Sequence, residues 1–243
     1  MPNPNITYRK AELTDGYSMA LCATSAWQST ALSNFLWPHR HLYPRDFILA
    51  SARRYWSLMS APNTVIYIGL DTSKSPSPVV GIGAFSRETA HPELLSLVQR
   101  PKNLKQMVIS WYYTIVGKIT QWLWPDRHMD RKAFESFAGD DAIYQQFWKD
   151  TYPERWHCRS FSVHPDYQKK GIGSTVMRIV MDTAKAEGLP IVLEASTDGE
   201  YLYRKLGFRL VKRFDAPVIK EEKDQGGLMV YEPETMDPAY LMK

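Results

Sequence analysis

Apolar residues along this chain recur at two spacings, and the switches between them outline a mixed α/β protein. Ile6 to Lys10 reads as a first strand. Thr14 or Asp15 then offers an N-cap for an amphipathic helix running through Ala26. Residues 27–60 make a second, aromatic-rich helical region, broken at Pro38 and Pro44. Thr64 to Leu70 is β-branched and alternating, residues 71–78 (DTSKSPSP) are a turn, and Val79 to Phe85 completes a hairpin. Residues 88–150 carry two helical patterns, at about 102–123 and 131–149, interrupted at Pro125 and Asp126. A bare loop of that length is rare, so the segment is expected to be an insertion with structure of its own.

The last third is patterned more tightly. Trp156 to Val163 predicts a strand, His164 to Lys170 a loop, and Gly171 to Glu187 a helix with Val176, Ile179, Val180 and Thr183 on one face. Gly188 and Pro190 stop that helix. A short apolar strand follows at Ile191 to Ala195, then a short helix from Glu200 to Leu206 capped by Gly207. Strands are expected at Phe208 to Phe214 and Gly227 to Tyr231. This ordering predicts an α/β sandwich on a mixed sheet.

The 243 residues suit one domain spanning 1–243 with a substantial insertion at about 88–150. A hydrophobic share of 44% supports a full core and excludes a disordered chain. The net charge of +4 is small and scattered, which argues against a nucleic-acid partner. No apolar run approaches the ~20 residues needed to span a bilayer, so no membrane partner is expected. Cys22 and Cys158 have neither metal nor disulfide spacing and read as free thiols, so no metal is expected. The polar N-terminus lacks an apolar leader segment, and the expected location is cytoplasmic.

The chemistry concentrates in Gln168-Lys169-Lys170-Gly171-Ile172-Gly173, between a strand and a helix. The first turn of a helix presents amides without partners, its dipole adds positive potential, and glycine admits a close ligand. Taken alone, the motif reads equally as a tight turn or as an anion site. It is neither a P-loop nor the dinucleotide fingerprint, which require further residues absent here. Gly81-Ile82-Gly83 lies inside a strand and fails the same context test.

With its surroundings, the segment resembles the GNAT superfamily of N-acetyltransferases. The run FSVHPDYQKKGIGSTVM, residues 161–177, is similar to that family's acetyl-CoA motif. LEASTDGEYLYRKLGF, residues 193–208, is similar to its next motif. The resemblance covers residues 156–214 and implies a GNAT-like mixed, mostly antiparallel central sheet flanked by helices, with acetyl-CoA as cosubstrate. It implies that Gln168, Lys169, Lys170, Gly171, Ile172, Gly173 and Ser174 cradle the pyrophosphate. Phe161 and Val163 would offer backbone groups to the pantetheine arm, beside any role in core packing. Tyr203 matches the family tyrosine that protonates the departing thiolate, against the plainer reading of a residue packed beside Leu206 and Phe208. His157 stands where the family often places a general base, against a strand residue with no role. Glu194 is the competing base, against a partner for a nearby Arg or Lys.

The family builds its acceptor pocket from early helices and insertions, here residues 27–60 and 88–150. Their aromatics either line a pocket or, more simply, form a subsidiary core. Asp140 and Asp141 are candidates for a cationic acceptor or plain surface acids. The leading expectation is direct acetyl transfer to a small-molecule amine. A protein or peptide acceptor and a non-catalytic acyl-CoA-binding module are the alternatives.

Overall fold

The computed structural model describes residues 5–91, 104–214 and 226–236. The start of the expected insertion helix, at 102–103, lies outside the described residues. Seven strands form one sheet: β1 (Ile6–Lys10), β2 (Thr64–Asp71), β3 (Val79–Thr89), β4 (Glu154–Val163), β5 (Ile191–Ala195), β6 (Arg209–Lys212) and β7 (Gly227–Tyr231). Their order across the sheet is β1-β2-β3-β4-β5-β7-β6. Every neighbouring pair is antiparallel except β4 and β5, which run parallel. The helices are α1 (Gly16–Trp27), α2 (Ala31–Leu36), α3 (Pro44–Ser60), α4 (Leu104–Leu123), α5 (Arg131–Thr151), α6 (Ile172–Glu187) and α7 (Thr197–Lys205).

Side chains alternate across the sheet, and the two faces bury different helices. Val65, Phe85, Trp156, Ile191 and Leu193 pack with Met177, Val180 and Ala184 of α6 and Tyr203 of α7. Ile66, Ile68, Ile82 and Ala84 pack with Met19 and Cys22 of α1 and Tyr55 of α3. On that second face, farther along the sheet, Trp148 of α5 and Tyr152 just after it cover Val192, Leu228 and Val230. The α6 stripe runs through Val176, Met177, Val180 and Ala184, so Ile179 and Thr183 fall at its half-buried edge.

Four local details depart from the sequence pattern. Asp15 does not cap α1; its carboxylate binds Arg9 at 2.7 Å and the Glu12 amide at 2.7 Å. Pro44 opens α3 rather than breaking it, since its fixed φ and missing N–H suit a first helical position. β3 continues past Phe85 because Ser86 to Thr89 pair with His157 back to Glu154. α7 begins at Thr197 because the Ser196 hydroxyl accepts from the Gly199 amide at 3.2 Å.

The segment between β3 and β4 is tied to the early helices at its central turn. Arg127 binds the buried Asp46 at 2.7 Å, Arg53 pairs with Asp126, and the Arg45 guanidinium lies 4.0 Å over the Trp124 ring. Its aromatics do not form one subsidiary core. Trp148 is fully buried, whereas Trp111 and Trp122 on α4 are 67% and 81% exposed.

Gly81 and Gly83 let α6 lie close on β3. A Cβ at Gly83 would sit 2.7 Å from both Phe85 and Val176, two fully buried side chains. Gly83→Ala is therefore expected to destabilise the fold by about 1–3 kcal/mol through overpacking. A chemical-denaturation midpoint checks this; an unchanged midpoint would mean the layer has slack.

Candidate active site

The parallel strands β4 and β5 pair only at Trp156↔Ile191 and His157↔Val192. Beyond that point β4 continues to Val163, still paired with β3, while its other edge faces no strand. The cause lies in β4 itself. Ala84 pairs with Ser160 and Phe85 with Cys158, so Arg159 has no partner and bulges. A bulge bends its strand and sharpens the twist, and this one falls where β4 leaves β5. The result is a wedge with an unused backbone edge on β4, suited to an extended amide-bearing chain that adds as a strand.

The loop after β4 ends at the N-terminus of α6. Gly171 has φ +82° with open space where a Cβ would stand, and Lys169 is also left-handed at φ +58°. The following amides, of Ile172, Gly173 and Ser174, are those that lack acceptors inside a helix. This combination fits a phosphate group. The side chains divide differently from the sequence expectation. Gln168 donates to the Val163 carbonyl at 3.2 Å and Lys170 to the Asp166 carbonyl at 2.6 Å, so both brace the loop itself. Lys169 makes no such contact among the described residues. Gly173 contributes an amide, but its Cα faces inward: a Cβ would meet Leu202, Phe161 and Val163 at 3.3–3.4 Å. A bulky residue there would spread α6 from the sheet rather than obstruct a phosphate.

His157 and Glu194 meet on the sheet face covered by α5. The His157 ring is wholly buried, with Nε2 3.0 Å from Glu194 Oε2 and Nδ1 3.5 Å from Glu88 Oε1. Burial opposes its charge, but the two carboxylates outweigh it and raise its pKa. Burial likewise opposes ionisation of Glu194, yet His157, the Trp148 indole and Arg159 hold its pKa below the usual carboxylate range. Glu88 is lowered in the same way, against burial, by His157, Arg155 and Arg159. The sequence offered His157 as a base, directly or through water; the structure buries the ring and engages both nitrogens, Nε2 with Glu194 and Nδ1 with Glu88 and, at 3.3 Å, with Arg159 Nη1. Glu194 keeps about a quarter of its side chain exposed, at 23%.

Tyr203 projects from α7 on the opposite face of the sheet. It stacks edge-on with Phe161 at 6.1 Å and packs against Phe208 at 5.6 Å, so the packing role holds. Burial raises its pKa well above the ordinary phenol value, with Cys158 and Glu194 adding to the effect. Its hydroxyl therefore stays protonated and lies within electrostatic reach of Glu194. His164 caps the loop, its Nδ1 accepting from the Asp166 amide at 3.3 Å. Asp141 accepts from Gln145, whose carbonyl oxygen receives Arg159, so it supports the cluster at a distance.

Sequence reasoning missed Glu88, Arg155, Arg159 and Trp148. Arg155 donates to Glu88, and Trp148 Nε1 donates to Glu194 Oε1 at 2.7 Å. The continuing alternation at the end of β3 was the one available signal, since it would have carried Glu88 onto the sheet.

Comparison with known proteins bears on this arrangement. A family profile described as the acetyltransferase (GNAT) domain matches residues 137–210, the stretch that holds β4, the glycine loop, α6, β5 and α7. This match, with the curated relative below, supports a GNAT superfamily acetyltransferase. A curated acetyltransferase from Stachybotrys chartarum is 23% identical over 214 residues, covering 88% of this chain and 85% of that protein. Among solved structures, arylalkylamine N-acetyltransferase 2 from Aedes aegypti aligns at 10% identity and TM-score 0.53 over 94% of this chain and 99% of its own. A Corynebacterium glutamicum protein described as histone acetyltransferase HPA2 and related acetyltransferase aligns at 14% identity and TM-score 0.53, covering 94% and 97%. These structures share the GNAT fold with this chain. The seven-stranded, mostly antiparallel sheet flanked by helices is that fold, as the resemblance implied.

The electrostatics of the GNAT site give a signed prediction. With its pKa raised in the fold, His157 should remain an imidazolium above the unfolded value of about 6.5. Its contribution to stability is then complete below that unfolded value and is lost as pH rises through the folded one. Nitrogen-15 NMR of the ring should show it losing its second proton at a higher pH in the folded protein than in the unfolded chain. Loss at a lower pH than in the unfolded chain would contradict the ion-pair assignment.

Proposed function

We propose that this GNAT protein transfers an acetyl group directly from acetyl-CoA to the amine of a small molecule, with Glu194 as base and Tyr203 as acid. One observation carries the reading: the β4–β5 opening is flanked by Tyr203 on one face and by Glu194 on the other. The pantetheine arm would lie along the free edge of β4, near Phe161 and Val163. The pyrophosphate would meet the amides of Ile172, Gly173 and Ser174. The thioester then falls where the strands part, between donor and acceptor groups.

The acceptor nitrogen attacks the thioester carbon as a free amine. In the tetrahedral adduct that nitrogen is positively charged and far more acidic than free ammonium. Glu194 favours the positive charge and takes the proton, directly or through one water. His157, Trp148 and Arg159 favour the ionised form of Glu194 between turnovers. As the carbon–sulfur bond breaks, the electron pair leaves with sulfur and the Tyr203 hydroxyl supplies its proton. The products are the acetylated amine and free CoA; Glu194 releases its proton to solvent and Tyr203 regains one, which restores both groups.

An acyl-enzyme on cysteine is disfavoured. Burial pushes the Cys22 thiol up to about 12 and the Cys158 thiol higher still, so neither is a thiolate at neutral pH.

The test is a panel of small amines and short peptides with CoA release as readout. Glu194→Gln should lower kcat/KM by about 100- to 10,000-fold at neutral pH. That defect should persist as pH approaches the acceptor's own pKa, because Glu194 acts on the adduct and not on the free acceptor. Tyr203→Phe should lower kcat by a factor that persists at high pH, because it acts on the leaving thiolate. Acetyl-CoA affinity should survive both changes. Turnover of peptides alone would move the acceptor class, and full activity in both variants would remove the catalytic assignment.

A further inference from the structure

We infer that Trp148, on the second helix of the insertion, is a positioning residue for Glu194: its indole N–H fixes the carboxylate that faces the acceptor. The inference rests on the reading of Glu194 as base. It also gives the insertion a part in the chemistry, beyond covering the sheet.

Glu194 lies two residues past Val192, where β5 has already parted from β4. From there β4 no longer flanks β5, and a glutamate side chain has ample rotamer freedom to lose. Two donors remove that freedom. His157 Nε2 holds Oε2 at 3.0 Å, and Trp148 Nε1 holds Oε1 at 2.7 Å. One donor on each oxygen sets the carboxylate plane and leaves each oxygen a lone pair for the acceptor nitrogen or a bridging water.

The donor is itself rigidly placed. Trp148 is wholly buried among Tyr152, Val192, Leu228 and Val230, with Phe147 packed at 5.2 Å. A buried indole N–H needs an acceptor, and here the acceptor is the candidate base rather than a backbone carbonyl. An indole donates but never titrates in the working range, so it orients Glu194 without taking its proton. Unlike a second cation, it does not neutralise the carboxylate. The charged and titratable groups on the face of Glu194 are His157, Arg155 and Arg159 on β4, with Glu88 on β3 reaching it through His157; Cys158 on β4 and Tyr203 on α7 act on it from the opposite face of the sheet. To these α5 adds the neutral indole.

The experiment compares Trp148→Phe, and the isosteric Trp148→3-benzothienylalanine, which keeps the ring volume and lacks the N–H. Each is made in wild-type and in Glu194→Gln protein, using acetyl-CoA and the fastest amine of the panel. In the wild-type background kcat should fall about 10-fold, the scale of one hydrogen bond to a charged group. The acidic limb of the kcat/KM profile should move to higher pH, because the ionised carboxylate has lost a donor. The KM for acetyl-CoA should stay within about twofold, as expected of a residue that does not touch it. In the Glu194→Gln background the same changes should cost nothing further. An unmoved acidic limb, or an equal loss in both backgrounds, would overturn the inference. Wild-type turnover in Glu194→Gln alone would instead overturn the base assignment, and this inference with it. If neither Trp148 variant folds, the indole nitrogen-15 resonance of Trp148 in the native enzyme decides: it should titrate together with the Glu194 carboxyl, and a pH-invariant resonance would overturn the inference.

Discussion

The site depends on one constraint in the backbone, the single unpartnered residue in β4. Arg159 has no counterpart on β3, and the strand bends away from β5 at that point. A continuous β4–β5 ladder would bury the edge on which the proposed pantetheine site lies. It would also seal the gap between the two faces of the sheet, with Tyr203 on one side and Glu194 and His157 on the other. Parallel pairing therefore lasts just long enough to fix the relative height of His157 and Val192. The glycine loop and α6 then follow directly from the freed end of β4, so the anion cradle and the wedge share one strand.

The charges around the wedge follow from burial. His157 sits where an uncompensated charge would be very costly, and Glu194 and Glu88 offset that cost from two different strands. Arg155 and Arg159 in turn hold Glu88. The cluster behaves as a unit in which His157 and Arg159 favour the ionised carboxylate of Glu194 and His157 helps to aim it. This differs from a lone histidine base, whose activity requires a free nitrogen and access to water. The insertion completes the arrangement, with α5 closing the sheet face over Val192 and delivering the Trp148 indole to Glu194.

Much of this was legible in the sequence where the signal is local. Ile6–Lys10, Ile191–Ala195 and Gly227–Tyr231 are strands with the boundaries their alternation gives. Gly171 stands at a left-handed position that glycine adopts easily, as a tight strand-to-helix turn requires. What escaped is non-local. Glu88 was assigned to the insertion because its partners on β4 are more than sixty residues away in sequence. The inward face of Gly173 depends on Phe161, Val163 and Leu202, which no helical periodicity identifies. His157 could be named from its type and place, but its protonation is set by carboxylates on β3 and β5. Trp148 looked like one of many insertion aromatics, and only the packing of α5 separates it from the exposed Trp111 and Trp122.

The account's central claim is that the thioester lies in the β4–β5 wedge between Tyr203 and Glu194. A crystal structure of the protein with bound acetyl-CoA tests it most directly. The account predicts the pantetheine arm along the free edge of β4, the pyrophosphate on the amides of Ile172 to Ser174, and the acetyl carbon level with His157 and Val192. An acetyl group outside the wedge, with β4 and β5 unoccupied between Tyr203 and Glu194, would contradict it.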